Sequence, residues 1–292
     1  MTYSAKSKYH RNLNLPLVRR AYLSLTGRHP SIFKGSGLDF DELREYIPGD
    51  QPQSVDWKSS AKRGSLVVKD FESSTITNSV ILSDSSRFMY AKGSSDESLI
   101  DIATFASSLI SYLSVNRGDK TTILYSDDKR LVHEKTGTTQ FSLHYPLDRL
   151  NASASASAPV SDISKAMNYI LQFWQKRVNL TIVASLPALV QMNEKTLAKI
   201  AKRNDTLVIG LKSKNPYNYS TKEQEFDILN HSRVPAFLKS RAAYRKYENF
   251  LLEQSEKVSS LLKSKGVYYI ESDSIDGLFH KFVKYIEASK WR

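Results

Sequence analysis

Residues 35–72 read GSGLDFDELREYIPGDQPQSVDWKSSAKRGSLVVKDFE, and the rest of the chain is arranged around this stretch. Gly35 and Gly37 permit positive φ angles and close approach of backbones. The tripeptide at 48–50, Pro-Gly-Asp, predicts a tight turn, because proline presets one φ angle and glycine supplies the opposite sign. The stretch therefore predicts an irregular but ordered segment ahead of the main domain.

Charged and aromatic residues are interleaved along the same stretch. Such a pattern can fix an irregular segment through charge-assisted hydrogen bonds and burial of aromatic rings. We expect Tyr46 and Trp57 to be substantially buried, so that replacing Trp57 by alanine would cost about 3–5 kcal/mol. The alternative is a solvated charged loop. In the ordered case an acid pairs with an arginine, the candidates being Asp50, Asp56, Arg44 and Arg63.

Five short motifs carry a resemblance to a known family: GSGLDF at 35–40, REYIPGD at 44–50, VDW at 55–57, SAKR at 60–63 and VKDFE at 68–72. In this order and spacing they resemble the signature of the bacterial "domain of unknown function fifty-eight" family. The resemblance implies that a von Willebrand factor type A-like domain follows, which divides the chain at 1–74 and 75–292. The residues that match the signature are Gly35, Gly37, Asp39, Phe40, Arg44, Tyr46, Gly49, Asp50, Asp56, Trp57 and Arg63.

Composition excludes several classes of function. With 292 residues, 40% of them apolar and 25% charged, the chain has the make-up of a soluble globular protein of one or two domains. It contains no cysteine, which excludes disulfides, thiolate catalysis and cysteine-bound metals. No apolar run approaches the roughly 20 residues of a membrane helix, and residues 1–30 lack the apolar part of a signal peptide. We therefore expect a cytoplasmic protein without a transmembrane segment.

The net charge of +12 is concentrated in the first 38 residues, which hold seven basic residues and no acid. Residues 13–25 there predict a short amphipathic helix. One interpretation is a helix docked on the domain with a solvated basic face. The other is contact with an anionic surface, of a membrane or of nucleic acid. No nucleic-acid-binding module accompanies the charge, which disfavours nucleic acid. The basic residues are Lys6, Lys8, Arg11, Arg19, Arg20, Arg28 and Lys34.

Beyond residue 74, apolar strands alternate with amphipathic helices. Apolar runs at 79–82, 178–184, 206–211 and 267–270 predict buried strands, and 121–125 with 130–134 predict a hairpin. Right-handed crossovers between such strands give an α/β fold with a doubly wound, mostly parallel, Rossmann-like sheet and one antiparallel edge strand. The type A resemblance implies the same order.

Three local features follow from the same pattern. The tetrapeptide at 94–97, Ser-Ser-Asp-Glu, predicts a capping box at the start of a helix. The alanine–serine run at 151–158 has no side chain able to pack a core, so it predicts a mobile loop. Residues 236–265 predict a long helix that Gly266 ends.

The resemblance also implies a metal-ion-dependent adhesion site at the carboxyl edge of the sheet. Type A domains build it from an Asp-x-Ser-x-Ser motif after the first strand, a threonine, and an aspartate after the fourth strand. Here Asp84 and Ser86 remain, Phe88 replaces the second serine, and residues 184–187 read Ala-Ser-Leu-Pro without an acid. We predict a degenerate site that holds no metal and no other cofactor. Asp84 would instead accept hydrogen bonds from nearby amides or pair with a base.

Three functions remain open. The leading one is a non-enzymatic protein-interaction or adaptor module, and the resemblance implies a MoxR-type AAA+ ATPase as partner, because family members often lie beside such ATPases. The alternative is a peripheral protein that binds anionic surfaces through its basic amino-terminal arm. The third is a hydrolase that uses Asp50 or Asp56 with Arg44, but no nucleophile or general base accompanies them. We predict that the protein is not an enzyme and that Phe88 offers apolar contact to a partner.

Overall fold

The computed structural model describes residues 39–46, 55–72, 78–127, 130–137, 139–154, 163–219, 226–227, 232–233, 235 and 238–288. The predicted amino-terminal helix, the glycines at 35, 37 and 49, and Asp50 lie outside these residues. So does the larger part of the alanine–serine run.

The signature stretch forms regular structure where it is described, which corrects the expectation of an irregular segment. Strand β1 (Asp39–Glu45), helix α1 (Trp57–Arg63) and strand β2 (Val67–Glu72) follow one another. The two strands pair antiparallel, and a register shift between Phe40 and Glu42 interrupts the ladder. We call residues 39–46 and 55–72 the signature module. Its two strands form a sheet separate from the main one.

Polar contacts fix the orientation of α1 in the signature module. Asp56 caps the helix, since its Oδ1 accepts hydrogen bonds from the amides of Lys58 at 3.0 Å and Ser59 at 3.1 Å. The Ser60 hydroxyl accepts from the Val67 amide at 2.9 Å and donates to the Asp56 carbonyl at 2.7 Å. Gly64 ends the helix with a φ of 74°, a left-handed conformation that suits glycine.

The expected burial of the two signature aromatics is wrong. Trp57 is 68% exposed and Tyr46 is 37% exposed. The physical reason is the rotation of α1 about its axis. This rotation leaves the serines at 59 and 60 half-buried and turns Trp57 and Lys58 towards solvent. The Asp56 cap and the Ser60 hydrogen bonds set this rotation, and the gain from burying Trp57 does not change it.

The main sheet has six strands: β3 (Asn78–Ser83), β4 (Lys120–Asp127), β5 (Arg130–Lys135), β6 (Asn179–Ser185), β7 (Asp205–Leu211) and, after a two-stranded ribbon of β8 (Phe226–Asp227) and β9 (Ser232–Arg233), β10 (Tyr268–Ser272). Their spatial order is β10-β7-β6-β3-β4-β5. All pairs are parallel except β4 with β5, which form the predicted hairpin with β5 at the edge. The predicted doubly wound α/β fold is confirmed.

Helices cover both faces of this sheet. They are α2 (Leu99–Asn116), α3 (His144–Ser153), α4 (Ile163–Phe173), α5 (Leu186–Val190), α6 (Glu194–Arg203), α7 (Arg241–Ser264) and α8 (Ile275–Ala288), with 3₁₀ turns at Arg87–Tyr90 and Gln140–Leu143. One core cluster contains Ile81 with α2, α3 and α8, and the other contains Val80 and Leu82 with α4 to α7. Consecutive residues of β3 thus point into opposite cores, which explains the unbroken apolar run.

Three local predictions differ from the structure. The capping box uses Ser98 and Asp101, not residues 94–97, and α2 begins at Leu99. Helix α7 begins at Arg241 with Ser240 as its cap, so residue 236 is not its start. Helix α3 continues to Ser153, so the alanine–serine run begins inside a helix. The Gly266 stop is confirmed, with a φ of 69° directly after the cap of α7.

Among the described residues, α2 is long and apolar enough to cross a membrane by length and composition. Of this helix, 83% is buried inside the protein, and its side chains fill the core beside β3, β4 and α8. Burial of this kind is the behaviour of a core helix.

The exposed position of Trp57 predicts a small effect on folding. Trp57→Ala should change the free energy of unfolding by no more than about 0.5 kcal/mol, because it removes an exposed side chain. Val67→Ala, at a fully buried position 10 residues further along, should cost about 1.5 kcal/mol or more, at roughly 0.8 kcal/mol for each lost methylene. Urea unfolding measures both. A large loss for Trp57→Ala would show that the side chain is buried in solution.

Candidate functional site

The carboxyl ends of β3 and β6 meet at the point where the strand order reverses. From β3 the chain crosses through α2 to β4 on one side, while β6 and β7 lie on the other side. In open α/β sheets, ligands bind in the crevice at this reversal point. Asp84, Ser85 and Ser86 follow β3 here, and Ser185 ends β6. We call this region the carboxyl edge.

The Asp84 side chain is buried and joins the two central strands. Its Oδ1 accepts a hydrogen bond from the Ser86 amide at 2.9 Å. Its Oδ2 accepts from the Ser185 hydroxyl at 2.7 Å and from the Ser185 amide at 3.3 Å. The Asp84 amide donates to the Val183 carbonyl at 2.7 Å, which extends the β3–β6 pairing by one residue. Both carboxylate oxygens are therefore engaged within the protein.

The two serines that follow Asp84 differ in their contacts. The Ser85 hydroxyl donates to the Ser126 carbonyl and accepts from the Ser126 amide at 3.0 Å, which ties the loop after β3 to β4. The Ser86 hydroxyl is buried and has no hydrogen-bond partner among the described residues.

These residues do not fit the metal that the type A fold implies. A hard cation such as Mg²⁺ takes about six oxygen ligands and needs negative charge close by. Among the described residues, the carboxyl edge offers one carboxylate, already bound on both oxygens, and one hydroxyl without a partner, that of Ser86. Ser185 stands at the end of β6, where an acid would be needed. Within the described part of the chain, no group of three His, Cys, Asp or Glu side chains is placed to hold a metal ion.

The 3₁₀ turn Arg87–Tyr90 presents aromatic surface next to Asp84. Met89 is completely buried and anchors the turn in the core beneath it. Phe88 is half-buried, and the Tyr90 side chain is 50% exposed. The turn thus presents a partly accessible apolar surface where the type A resemblance implies the second serine.

The segment 91–98 crosses the carboxyl ends of β7 and β10. The Ser94 amide donates to the Asp273 carbonyl at 2.9 Å, and the Lys214 amide donates to the Lys92 carbonyl at 2.8 Å. A Cβ atom on Gly93 would lie only 2.0 Å from the Asp273 carbonyl oxygen, so this position requires glycine. The close contact shows that the crossing segment is fitted to the sheet below it.

Charges flank the crossing segment. Asp96 lies within 2.6 Å of the Lys92 ammonium and 3.3 Å of that of Lys214, and hydrogen bonding to Lys92 lowers the pKa of Asp96. Burial raises the pKa of Glu97, and nearby carboxylates, first that of Asp276, add to the increase. Asp96 is thus paired with two bases, whereas Glu97 lies among carboxylates and its buried Oε2 has no hydrogen-bond partner among the described residues.

The structure brings together only some of the residues that the sequence predicted. Asp84, Ser86 and Phe88 meet at the carboxyl edge. Asp39, Phe40, Arg44, Tyr46, Asp56, Trp57 and Arg63 belong to the signature module. Ser185 was missed as a partner of Asp84. The sequence places Ser185 at the end of an apolar run, but the pairing of that run with β3, which brings Ser185 to Asp84, is found only in the structure.

The geometry predicts no measurable metal binding. Titration of Mg²⁺ or Mn²⁺ at millimolar concentration should give no saturable heat in calorimetry, because the Asp84 oxygens are already bonded. Saturable binding that Asp84→Ala abolishes would refute this prediction.

The hydrogen bond from Ser185 predicts a measurable contribution to stability. Ser185→Ala should lower the free energy of unfolding by about 1.5–3 kcal/mol, because it leaves a buried carboxylate oxygen short of its hydroxyl donor. The matched control is Ser86→Ala, which removes a buried hydroxyl without a partner among the described residues and should be neutral or stabilising. Equal losses for the two variants would contradict the assignment.

Solved structures with a similar fold include three that cover 72% of this chain. An aerotolerance-related membrane protein from Bacteroides fragilis has 14% identity, a TM-score of 0.43 and 98% of its own chain covered. The SpRpn10 VWA domain has 12% identity, a TM-score of 0.36 and 95% covered. A membrane-spanning protein from Vibrio fischeri has 13% identity, a TM-score of 0.25 and 98% covered. No curated protein matches the chain.

The predicted cytoplasmic location is wrong on these comparisons. Two of the similar structures are of proteins described as a membrane protein and a membrane-spanning protein, which contradicts that location.

The amino-acid sequence of the chain also matches the model of a protein family. The model described as "Protein of unknown function DUF58" matches residues 42–217, which is more than half of the 292 residues. The match begins inside β1, takes in the remainder of the signature module and the carboxyl edge, and ends in the segment after β7. The chain therefore belongs to the DUF58 family, with a von Willebrand factor A-like fold.

Proposed function

We propose that the protein is a non-enzymatic interaction module that binds a partner protein at the carboxyl edge without a bridging metal, as an adaptor for a MoxR-type AAA+ ATPase. The von Willebrand factor A-like fold is typically that of a protein-interaction module. The observation that carries the proposal is the half-exposed Tyr90 on the 3₁₀ turn that begins three residues after Asp84.

The state of Asp84 supports recognition without metal. In metal-dependent binding, a cation at this position keeps one coordination site open for a carboxylate of the partner. Here the Asp84 oxygens accept three hydrogen bonds from Ser86 and Ser185. Displacing these bonds to admit a cation would leave buried donors without acceptors, which costs about 1–3 kcal/mol for each donor.

The residues around the turn supply what direct binding needs. Aromatic side chains contribute large contact areas at low conformational cost and are enriched at the centres of protein interfaces. Tyr90 is half-exposed, Phe88 is half-buried beside it, and the exposed Lys92 follows two residues later. The Lys92 ammonium is paired with Asp96, so the aromatic side chains are the main contact surface here, and they suit a partner segment that carries apolar side chains.

The partner is suggested by the family resemblance. Members of this family often lie beside MoxR-type AAA+ ATPases, and an adaptor that lacks a reaction of its own accords with a chaperone-like ATPase. A hydrolase that uses Asp56 is disfavoured, because the Asp56 carboxylate serves as the cap of α1.

The test is a pull-down of the purified ATPase from the same host by the tagged chain, once with a chelator and once with added Mg²⁺. We expect equal recovery in both conditions. Tyr90→Asp alone, and together with Phe88→Asp, should reduce recovery by about tenfold or more, as for loss of an interface hot spot. Tyr145→Asp is the matched control, because Tyr145 is 64% exposed on α3 and lies away from the turn in sequence.

Three outcomes would contradict the proposal. Failure to recover the ATPase from any arm would remove this partner. Recovery only with Mg²⁺ would restore a metal-dependent mechanism. Recovery that the Tyr90 and Phe88 substitutions leave unchanged would show that the carboxyl edge is not the contact surface.

A further inference from the structure

The signature module exposes three large apolar side chains at one end. Trp57 is 68% exposed, Leu66 is 48% exposed and Tyr46 is 37% exposed. The Tyr46 amide donates to the Leu66 carbonyl at 2.9 Å, and the amide of Asp56, next to Trp57, donates to the Val67 carbonyl at 2.9 Å. Residues that lie 20 positions apart in sequence are thereby neighbours in space. We call Tyr46, Trp57 and Leu66 the apolar tip.

The exposure of the apolar tip belongs to the folded module. Helix α1 has only seven residues, yet it is held by the Asp56 cap, by the Ser60 hydroxyl and by Gly64. Val67 and Val68 of the adjoining strand β2 are 0% and 2% exposed. The module thus buries small apolar residues and leaves its largest one in solvent. Clustered exposed apolar side chains of this kind mark surfaces that contact a partner or a membrane.

Exposed basic side chains lie beside Trp57 on α1. Lys58 and Lys62 are one helical turn apart on α1, and both are exposed, as is Arg63 in the last turn. Helix α1 contains no acidic residue. The acids nearest to α1 in sequence are Asp50, Asp56 and Asp70. Of these, only the Asp56 side chain is described, and its carboxylate accepts hydrogen bonds from the amides of α1. The exposed side of α1 is therefore cationic.

The chain that leads into the module adds to this charge. Residues 1–38 carry seven basic residues and no acid, and they directly precede β1. A basic segment of this kind gains roughly 1 kcal/mol for each Lys or Arg near an anionic bilayer. The length and charge of this arm, together with α1, point to an extended anionic surface.

We propose that the apolar tip and the basic side of α1 dock on the surface of a bilayer that contains anionic phospholipid. Trp57, Tyr46 and Leu66 would enter the boundary between headgroups and acyl chains, where tryptophan and tyrosine are enriched. Lys58 and Lys62 would lie at the level of the phosphates. The proposal goes beyond the protein-interaction role and does not depend on it.

A bilayer accounts for exposed aromatic side chains next to exposed lysines better than an acidic protein does. A bilayer offers an apolar layer and an anionic layer at fixed depths, so it takes up the aromatic tip and the lysines together. A purely acidic polypeptide such as polyaspartate would pair with the lysines and leave Trp57 and Leu66 in water. An acidic protein partner is accordingly an alternative outcome of the test.

The experiment is co-sedimentation of the full chain with phosphatidylcholine vesicles that contain or lack phosphatidylglycerol. We expect binding to the anionic vesicles only, weakened by added salt. Trp57→Ala and the double variant K58E/K62E should each reduce the partition coefficient by about tenfold or more. Matched controls are Phe173→Ala, at a side chain 63% exposed on α4, and K195E/K199E, at two exposed lysines one turn apart on α6. Both controls should bind as the unaltered chain does.

Tryptophan fluorescence locates the contact. The chain has three tryptophans, at 57, 174 and 291, so the difference between the unaltered chain and Trp57→Phe isolates the signal of Trp57. On anionic vesicles this signal should shift to shorter wavelength and be quenched by lipids brominated in the acyl chain.

Several results would overturn the proposal. Binding that is equal on neutral vesicles would remove the role of charge. Binding that persists in the Trp57 and lysine variants, or a Trp57 signal that brominated lipid does not quench, would assign the contact to another part of the chain. Binding to polyaspartate but not to vesicles would identify an acidic polypeptide as the ligand.

Discussion

The buried carboxylate of Asp84 joins the ends of the two central strands, and the character of the carboxyl edge depends on this contact. Its oxygens accept bonds from Ser86 on the β3 side and from Ser185 on the β6 side. A buried charge is tolerated only when it is hydrogen-bonded, and bonds to a charged acceptor contribute about 1.5–3 kcal/mol each. The fold thus uses, to hold itself together, a carboxylate that metal-dependent type A domains use for a cation. A partner bound at this edge, as we propose, would therefore meet side-chain surface and not a bridging cation.

The rest of the carboxyl edge is also held by contacts within the protein. Gly93 brings the crossing segment into backbone contact with Asp273, and Met89 anchors the 3₁₀ turn in the core. Met89 thus ties the turn Arg87–Tyr90 to the core, and Gly93 ties the segment after the turn to the loop after β10. A surface that is preorganised in this way loses less conformational entropy on binding than a mobile loop would. The aromatic side chains there can therefore act as fixed anchors.

Much of the fold could be predicted because two-sided burial leaves a strong pattern in the sequence. Residues 79–82 had to be apolar without interruption, since Ile81 faces one core and Val80 and Leu82 face the other. The capping box was misplaced for a physical reason: residues 94–97 and 98–101 both fit the pattern. The close contact of Gly93 with Asp273 commits the first of these serines to the sheet, and only the structure contains that contact.

The site could be predicted only in part. The loss of the second serine and of the acid after β6 was readable from sequence, because missing ligands are visible as residue types. The partnership of Asp84 with Ser185 was not, because 101 residues separate them and the β3–β6 register brings them together. The burial of Trp57 was predicted wrongly because hydrophobicity alone was used, whereas the Asp56 cap decides which face of α1 meets β2.

In the signature module, the residues that stabilise the fold differ from the exposed residues that could contact a partner, and Trp57 belongs to the second group. The side-chain hydrogen bonds that hold α1 come from Asp56 and Ser60, which are half-buried, whereas Trp57 and Lys58 are exposed. Burial of a tryptophan would add several kcal/mol to the stability of a small module, and this sequence forgoes that gain. A residue that is kept in solvent by a network of polar contacts contributes little to the folded state by itself. Its apolar area remains available for contact outside the domain, so the module can change its binding surface without changing its fold.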